Sequence, residues 1–378
     1  MPYITVMQNY KGHQVTFEDI LFDRVPFINN NPSGKLSGTV TFFTNKSETI
    51  RKYAANINIQ GLIMSLEMFN AAHEDLFNAD RESLYHTFYI PKRTRGYRKI
   101  DEPLPPLMEA LRQLKAILEE RFNILYHTSA FAYIKNRCPI DAVKKHQRNK
   151  SKWFLKTDFS DFFGSTTEDF LLKMMSMIFP FSEVMKSERG EKALRKSMGL
   201  CFLNGGLPQG TPISPTLTNL MMIPLDHRMT NDLVKRGFIY SRYADDIMIS
   251  HRESFDHNEI CRYISDVLKI YDAPFSIKDE KTRYGSSAGR NWNLGVMLNK
   301  DNEITIGRRN KEYLKAACNS YVKDKKNGVN WDLHDVAVLR GKIAYYKMVE
   351  PEYMSKFIAW FNEKNSVNLI KMLRDEFR

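Results

Sequence analysis

Two adjacent carboxylates, Asp245 and Asp246, lie in the segment FIYSRYADDIMIS (238–250), with apolar residues on both sides. Neighbouring side chains on a strand point to opposite faces, but at the tip of a hairpin both can approach one centre. Two like charges placed side by side are costly unless a cation neutralises them. Mg²⁺ suits such a pair, because it takes one or two protein carboxylates and completes its shell with water and phosphate. An adjacent acidic pair is most often a solvated turn, so the assignment depends on further residues.

A third carboxylate, Asp158, follows the apolar run WFL and precedes Phe162 and Phe163. Three carboxylates on adjacent strand ends could hold two Mg²⁺ ions about 3.5–4 Å apart, the arrangement used for in-line phosphoryl transfer. Between Asp158 and the acidic pair lies the loop GGLPQGTPISP (205–215), whose Gln209 amide can hydrogen-bond a base or sugar edge. A loop of this composition is common by itself, and its position between Asp158 and Tyr243 is the more informative feature.

The distribution of charge indicates a polyanionic partner. The 378 residues carry a formal net charge of +12. Residues 135–156 contain eight Lys/Arg and one acid, and residues 281–347 contain fourteen Lys/Arg and six acids. Clusters of this kind are typical of phosphate neutralisation by nucleic-acid-binding proteins. The helices and strands interleave without a regular βαβ period or a glycine-rich nucleotide loop, which argues against a simple nucleotide-binding α/β fold.

The expected compartment is the cytoplasm. The chain begins MPYITVMQNYKGH, which lacks the basic and apolar regions of a signal peptide. Its longest apolar runs are far shorter than the roughly 20 residues that a membrane span requires. The four cysteines are scattered and form no zinc-binding or redox pattern, as expected in a reducing environment.

The order of the motifs resembles the palm of reverse transcriptases: DFSDFF (158–163), LPQGTPISP (207–215) and YADD (243–246). Upstream, IPKRTRGYRKIDEP (90–103) is similar to the fingers motif of that family. The resemblance implies an α+β right-hand polymerase with fingers, a palm whose antiparallel sheet carries the YADD hairpin, and a helical thumb. We expect an N-terminal extension over 1–80, fingers and palm over 81–290, and a basic helical thumb over 291–378.

The resemblance also implies roles for individual residues. Asp158, Asp245 and Asp246 become catalytic metal ligands, with two Mg²⁺ ions as the expected cofactor and Mn²⁺ as an alternative. Lys281, or alternatively Lys278, matches the region of the general acid that protonates pyrophosphate. The aromatic ring of the steric-gate position would collide with a ribose 2′-OH, which predicts dNTP use. Cationic fingers residues would grip the triphosphate. The expected nucleotide contacts are Lys92, Arg98, Phe163 (the steric gate), Gln209, Gly210 and Tyr243.

A second group of residues is expected to bind nucleic acid. It comprises basic residues of the two charged segments and His146, for which a phosphate-facing or helix-capping role is the alternative. Tyr97, Tyr133 and Tyr313 lie among basic residues and could stack on bases. The expected nucleic-acid contacts are Lys144, Lys145, His146, Arg148, Arg308, Arg309 and Lys311.

Among reverse transcriptases, the chain is most similar to the bacterial retron and defence-associated group. The roughly 80 residues after the palm leave room for a thumb but not for an RNase H or endonuclease module. Two retron landmarks differ: Asn-Ala-x-x-His is replaced by AVKKH (142–146), and Val-Thr-Gly by NLG (293–295). We therefore expect a defence-associated enzyme outside the retrons.

The expected function is RNA-directed DNA synthesis from an associated non-coding RNA, in antiphage defence. The expected partners are that RNA as template or primer, the DNA product, dNTPs, and a partner protein or second copy of the chain, without a membrane. The alternatives are a retron-type or stripped intron-type enzyme, a polymerase without a conventional template, and an RNA-binding scaffold with an idle palm.

Overall fold

The computed structural model describes residues 58–92, 96–122, 126–287 and 292–377. These residues form two compact units. The larger unit contains the described residues up to Cys138 together with Phe154–Tyr284, and the smaller unit contains Pro139–Trp153 and the chain from Gly285 onward. Residues 139–153 and 285–378 hold 22 Lys/Arg against 12 Asp/Glu, so most of the net charge of +12 belongs to the smaller unit.

The helices are named here in chain order. They are α1 (Ile59–Ala72), α2 (Glu74–Asn78), α3 (Pro105–Phe122), α4 (Pro139–Arg148), α5 (Glu168–Met175), α6 (Phe181–Val184), α7 (Glu188–Gly199), α8 (Ser214–Met221), α9 (Ile223–Val234), α10 (His257–Ile270), α11 (Arg308–Lys326), α12 (Leu333–Val349), α13 (Pro351–Asn365) and α14 (Leu369–Asp375). None of these described helices is long and apolar enough to cross a membrane.

The strands form three sheets. They are β1 (Tyr85–Pro91), β2 (Tyr97–Pro103), β3 (Trp153–Asp158), β4 (Ile239–Tyr243), β5 (Asp246–His251), β6 (Arg283–Ser286), β7 (Trp292–Asn293), β8 (Val296–Leu298) and β9 (Ile304–Thr305). β1 and β2 pair as an antiparallel hairpin, the strand order of the central sheet is β4-β5-β3-β6, and β7, β8 and β9 form a small sheet in the smaller unit.

The core of the larger unit is built by helices whose apolar residues recur at helical spacing. In α3, which starts at Pro105, the residues Leu107, Leu111, Leu114 and Leu118 are completely buried. This pattern is the stripe expected of an amphipathic helix that opens with proline.

Helix α1 belongs to this core. Asn58 caps it by accepting a hydrogen bond from the Gly61 N–H, and Leu66 and Phe69 are buried. The Asn70 amide donates to the Ala193 carbonyl of α7 at 2.9 Å. The described part of the expected N-terminal extension, residues 58–80, is therefore integrated into the larger unit rather than separate from it. Residues 1–57 lie outside the described part of the chain.

The smaller unit combines α4, the three-stranded sheet and the four C-terminal helices. Gln147, on α4, exchanges hydrogen bonds with Asn302 beside β9, at 2.8 and 2.9 Å. Leu314, Cys318 and Phe361 form part of its buried interior. Helix α4 groups with the C-terminal helices although it precedes β3 in the chain. The smaller unit therefore contains a helix that the expected thumb over 291–378 did not include.

Candidate active site

Asp158 is a buried carboxylate at the end of β3. The residue is 3% exposed, and its Oδ2 accepts a hydrogen bond from the Lys281 ammonium. The Lys278 ammonium lies 3.6 Å from the same oxygen. Its Oδ1 is buried and has no hydrogen-bond partner in the described structure. The Lys278 N–H also donates to the Asp158 carbonyl at 2.9 Å, which ties the Lys278–Lys281 segment to the end of β3. Both lysines that the sequence singled out therefore lie against the same carboxylate.

The YADD motif forms the predicted hairpin. Tyr243 at the end of β4 pairs with Asp246 at the start of β5, so Ala244 and Asp245 form a two-residue turn. Ala244 has a φ of 57°, in the left-handed region that is unfavourable for a residue with a Cβ atom. The Phe159 N–H donates to the Asp245 carbonyl at 3.1 Å, which brings the turn to the end of β3. The three carboxylates are thus gathered on adjacent strand ends.

A buried ion pair supports this turn from within the protein. Arg242 and Asp226 are both completely buried, with Nε–Oδ1 and Nη2–Oδ2 distances of 2.9 and 2.8 Å. The remaining Nη1 of Arg242 donates to the Ala244 carbonyl at 3.0 Å. The Tyr240 hydroxyl also donates to Asp226, at 2.7 Å. Arg242 therefore fixes the backbone at the left-handed residue that places Asp245 and Asp246.

The carboxylates of the turn are harder to ionise than usual. Burial raises the pKa of Asp245, and the negative charge of Asp158 adds to the effect. Asp246 is open to solvent on one side, yet the protein around it and the charges of Asp245 and Asp158 raise its pKa to about 6. Lys281 partly offsets both shifts. Mutual repulsion of this kind is relieved by a cation.

The donor set fits a divalent cation. Asp158 offers a buried oxygen without a partner, and Asp245 and Asp246 are carboxylates destabilised by like charge. Among the described residues, however, no three acidic, histidine or cysteine side chains are already arranged to hold a metal ion. The positive charge beside Asp158 is supplied by Lys281 instead. A metal ion at Asp158 would have to share that carboxylate with Lys281 or displace it.

The β1–β2 hairpin carries the two expected triphosphate contacts. Arg98 is opposite Ile90 in the antiparallel register, so Arg98 and Lys92 lie on the same face, and both are exposed. The Asp101 N–H donates to the Gln209 carbonyl at 2.7 Å. A methyl group built on Gly210, whose φ is 120°, would lie 2.9 Å from the Asp101 carbonyl oxygen. The glycine therefore allows the hairpin to pack directly on the loop 205–215.

Phe163, the expected steric gate, is tied to the same loop. Its carbonyl accepts hydrogen bonds from the N–H groups of Leu207 at 3.0 Å and Thr166 at 3.2 Å. Its half-buried ring packs edge-on against Phe162, with 5.6 Å between the ring centres. Tyr243 is also half-buried. The structure thus joins Phe163, Gln209 and the fingers hairpin through backbone contacts in the larger unit.

The expected nucleic-acid contacts belong to the smaller unit and differ in accessibility. Lys144, Arg148 and Arg309 are exposed, Lys145 is half-buried, and Arg308 is exposed and paired with Glu312 at 2.7 Å. Lys311 is largely engaged within the protein, 2.7 Å from Glu350 and 4.0 Å from the centre of the Tyr353 ring.

His146 departs from the expectation. It is completely buried on the inner side of α4, and burial lowers its pKa to about 3. The imidazole is therefore neutral and cannot face a phosphate in this structure, so the predicted nucleic-acid contact at His146 is wrong. Its spacing from the apolar residues Ala142 and Val143 on the same helix was the signal for burial.

Sequence reasoning did not include Arg242 or Asp226 in the site. Arg242 immediately precedes YADD, and its place in an otherwise apolar strand was the available signal, because a charged residue on a buried strand needs a partner. Asp226 gave no local signal, since it lies in helix α9 among residues of mixed polarity.

The fold and the site define a class of enzyme. Carboxylates on adjacent strand ends, a cationic hairpin and an aromatic residue beside a Gly/Pro-rich loop form the parts of a nucleotidyltransferase that joins nucleotides.

Comparison with known proteins agrees with this class. The family model "Reverse transcriptase (RNA-dependent DNA polymerase)" matches residues 90–314. The Retron Ec83 reverse transcriptase of Escherichia coli is 27% identical over 299 residues, covering 76% of this chain and 90% of the relative. The Retron Mx162 reverse transcriptase of Myxococcus xanthus is 27% identical over 327 residues, covering 81% of this chain and 65% of the relative.

Telomerases are among the solved structures with a related chain path. The telomerase of Candida albicans with a telomeric RNA fragment has a TM-score of 0.44 at 13% identity, covering 76% of this chain and 63% of that chain. Apo telomerase of Candida tropicalis has a TM-score of 0.45 at 12% identity, covering 74% and 58%.

The chain belongs to the reverse transcriptase family, and it is an RNA-directed DNA polymerase. The predicted family, enzyme class and α+β polymerase fold are confirmed. Retron reverse transcriptases are its relatives, which agrees with the expected prokaryotic group of retron and defence-associated enzymes. A place outside the retrons stays a prediction.

Proposed function

We propose that this reverse transcriptase copies a non-coding RNA held by the same protein into DNA, in the cytoplasm, as part of a bacterial defence against phage. The observation that carries the proposal is the intact set Asp158, Asp245 and Asp246 in a chain whose smaller unit has a large excess of positive charge. A basic surface supplies sequence-independent affinity for RNA, and the carboxylates supply the means to extend a primer on it. The retron relatives support this combination.

Each residue of the site has a distinct task in this reaction. The primer 3′-oxygen forms a bond to the α-phosphorus of a dNTP while the bond from that phosphorus to pyrophosphate breaks. Lys92 and Arg98 bind the triphosphate, and Phe163 excludes a ribose 2′-OH. The Lys281 ammonium, held against Asp158, carries a proton that can pass to the leaving pyrophosphate.

Asp158, Asp245 and Asp246 would hold Mg²⁺, two ions in this proposal, with Mn²⁺ as the alternative. When bound, the metal would neutralise phosphate charge and favour ionisation of the 3′-hydroxyl. The remaining contribution of the protein is to position the reactants, which is the main source of rate in phosphoryl transfer.

Replacement of the carboxylates of the turn tests the polymerase. The double variant Asp245→Asn, Asp246→Asn keeps the side-chain shape and should abolish dNTP incorporation on a poly(rA)/oligo(dT) primer–template while RNA binding persists. Asp169→Asn, which removes an exposed carboxylate on α5, is the matched control and should incorporate normally. Unchanged incorporation by the double variant would show that these carboxylates do not carry the reaction. RNA binding by a wild-type protein that never extends any primer would favour the idle scaffold instead.

Sequencing the nucleic acid that co-purifies with the protein identifies the template and primer. DNA joined to an RNA 2′-OH would identify that hydroxyl as the primer. DNA extended from a DNA end or from a tyrosine hydroxyl would identify one of those groups as the primer instead. Recovery of RNA alone, with no DNA after addition of dNTPs and Mg²⁺, would contradict the proposal.

The defence role has its own test. Cells carrying the wild-type gene should plate phage less efficiently than cells carrying the Asp245→Asn, Asp246→Asn variant at equal protein level. Equal protection by the two would show that any effect on phage does not require DNA synthesis.

A further inference from the structure

Tyr133 is an exposed aromatic residue in a strained conformation. Tyr133 is 58% exposed to solvent, and its φ of 59° lies in the left-handed region. A bulky side chain is uncommon there, because the Cβ atom crowds the backbone. Strained, exposed residues of this kind concentrate at functional sites when the surrounding structure holds them in place.

Arg137 holds the loop that presents Tyr133. Its Nη1 donates to the carbonyls of His127 and Ala130, both at 2.6 Å, and its Nη2 donates to the Tyr126 carbonyl at 3.3 Å. The guanidinium thus closes residues 126–137 into a compact loop in which the backbone at Tyr133 has little freedom. Hydrogen bonds within this internal loop therefore hold Tyr133 in its left-handed conformation.

Hydrogen bonds join the same loop to the hairpin that carries the YADD motif. The Arg242 N–H donates to the Ser129 carbonyl at 2.7 Å, and the Phe131 N–H donates to the Arg242 carbonyl at 2.9 Å. The Asn219 amide donates to the Ala132 carbonyl at 2.8 Å, and its oxygen accepts from Arg242 Nη2 at 3.2 Å. One asparagine therefore links the residue before Tyr133 to the arginine that fixes the YADD turn.

Electrostatics agrees with this placement. Partial burial raises the pKa of Tyr133, the charge of Asp245 raises it further, and Arg98 lowers it. The phenol therefore lies in the field of both a carboxylate of the turn and a cation of the fingers hairpin.

We propose that the Tyr133 ring contacts a nucleobase at the point of DNA synthesis. The loop is hydrogen-bonded to Arg242 and Asn219, which support the turn, and its exposed ring offers a flat apolar surface where a base would lie. Two bases share this chemistry: that of the incoming dNTP and that of the terminal primer–template pair. Such a contact rests on the proposed polymerase function and adds a base-binding residue to the carboxylates, the fingers cations and the gate.

Steady-state kinetics on poly(rA)/oligo(dT) with dTTP tests the proposal. Loss of a stacked aromatic ring weakens nucleic-acid binding by about 1–3 kcal/mol per base, which corresponds to roughly 5- to 150-fold. Tyr133→Ala should therefore raise either the KM for dTTP or the Kd for the primer–template by such a factor, with a smaller change in kcat. Tyr133→Phe, which keeps the ring, should stay near wild type.

Two further variants separate a contact from a structural effect. Tyr133→Gly removes the ring and relieves the left-handed strain, so it should fold at least as well as Tyr133→Ala and show the same loss of binding. Tyr89→Ala is the matched control, because Tyr89 is 63% exposed on the hairpin face opposite Arg98. It should leave both constants unchanged.

The outcomes assign or reject the contact. A rise in the KM for dTTP alone assigns the incoming base, and a rise in the primer–template Kd alone assigns the terminal pair. Unchanged constants in Tyr133→Ala and Tyr133→Gly, or a loss in Tyr133→Phe as large as in Tyr133→Ala, would overturn the proposal.

Discussion

Breaking the buried Arg242–Asp226 ion pair should destabilise the protein far more when one partner is removed than when both are replaced. In Asp226→Leu the Arg242 guanidinium loses its hydrogen bonds to Asp226, at 2.8, 2.9 and 3.2 Å, and the Tyr240 hydroxyl loses its acceptor at 2.7 Å. All of these groups are buried, so water cannot replace the partner. Removal of one partner of such a pair costs about 3–5 kcal/mol, against a total stability of about 5–15 kcal/mol for a typical domain.

Urea unfolding followed by circular dichroism measures the effect. We expect Asp226→Leu and Arg242→Met each to lower the free energy of unfolding by about 3–5 kcal/mol, and the double variant to lose much less than their sum. Tyr240→Phe should lose about 1.5–3 kcal/mol, because it removes one hydrogen bond to a charged group. Single variants within about 1 kcal/mol of wild type, or a double variant equal to the sum, would refute the reasoning.

Activity separates the positioning role from the stabilising one. The double variant Asp226→Leu, Arg242→Met recovers stability but lacks the 3.0 Å hydrogen bond from Arg242 to the Ala244 carbonyl. Its turn is free to shift, so kcat for dTTP incorporation should fall at least tenfold, the equivalent of about 1.4 kcal/mol in the barrier. A double variant that is stable and fully active would show that Arg242 does not position Asp245 and Asp246.

Three further predictions concern the gate, the loop and the turn. Phe163→Ala should lower the preference for dTTP over UTP, measured as the ratio of their kcat/KM values, because the ring that would collide with the 2′-OH is removed. An unchanged ratio would show that Phe163 is not the steric gate. Gly210→Ala should lower the melting temperature more than Gly328→Ala, because both have positive φ but only Gly210 packs on the Asp101 carbonyl; equal shifts would contradict the packing. In the metal-free protein, Asp246 should titrate near pH 6 by carbon NMR. Since its folded-state pKa is raised above the ordinary 3.8, the folded state binds the extra proton and its relative stability falls as the pH rises from about 4 to 6. Titration near 4 would show that neither burial nor the charges of Asp245 and Asp158 raise the pKa of Asp246.

The local parts of the fold could be predicted from the sequence because each depends on neighbouring residues. The fingers hairpin follows the motif IPKRTRGYRKIDEP, in which Gly96 has a φ of 94°, a conformation that glycine adopts without strain. The YADD hairpin was likewise predicted from a short-range pattern, the apolar residues on both sides of the acidic pair. The grouping of α4 with the C-terminal helices was not, because it depends on contacts such as Gln147–Asn302, between residues far apart in the chain.

The positive charge of α4 led to the wrong prediction that His146 contacts nucleic acid. Lys144 and Arg148 are exposed as a basic face requires, but His146 shares the helix with them and is buried. A basic cluster in the sequence therefore predicts that one face of the helix binds phosphate. The helical period of about 3.6 residues determines which residues of the cluster lie on that face.

The same distinction applies to Arg242. Tyr240 and Arg242 alternate along β4 and are both completely buried, so the strand pattern alone places a charged group on an inward face. An inward arginine requires an acid within reach, because an unpaired buried charge is too costly to persist. The sequence thus predicts that a partner exists, but only the packing of α9 on β4 selects Asp226. Since the third donor of this arginine points at the Ala244 carbonyl, the long-range contact that the sequence could not specify is the one that shapes the catalytic turn.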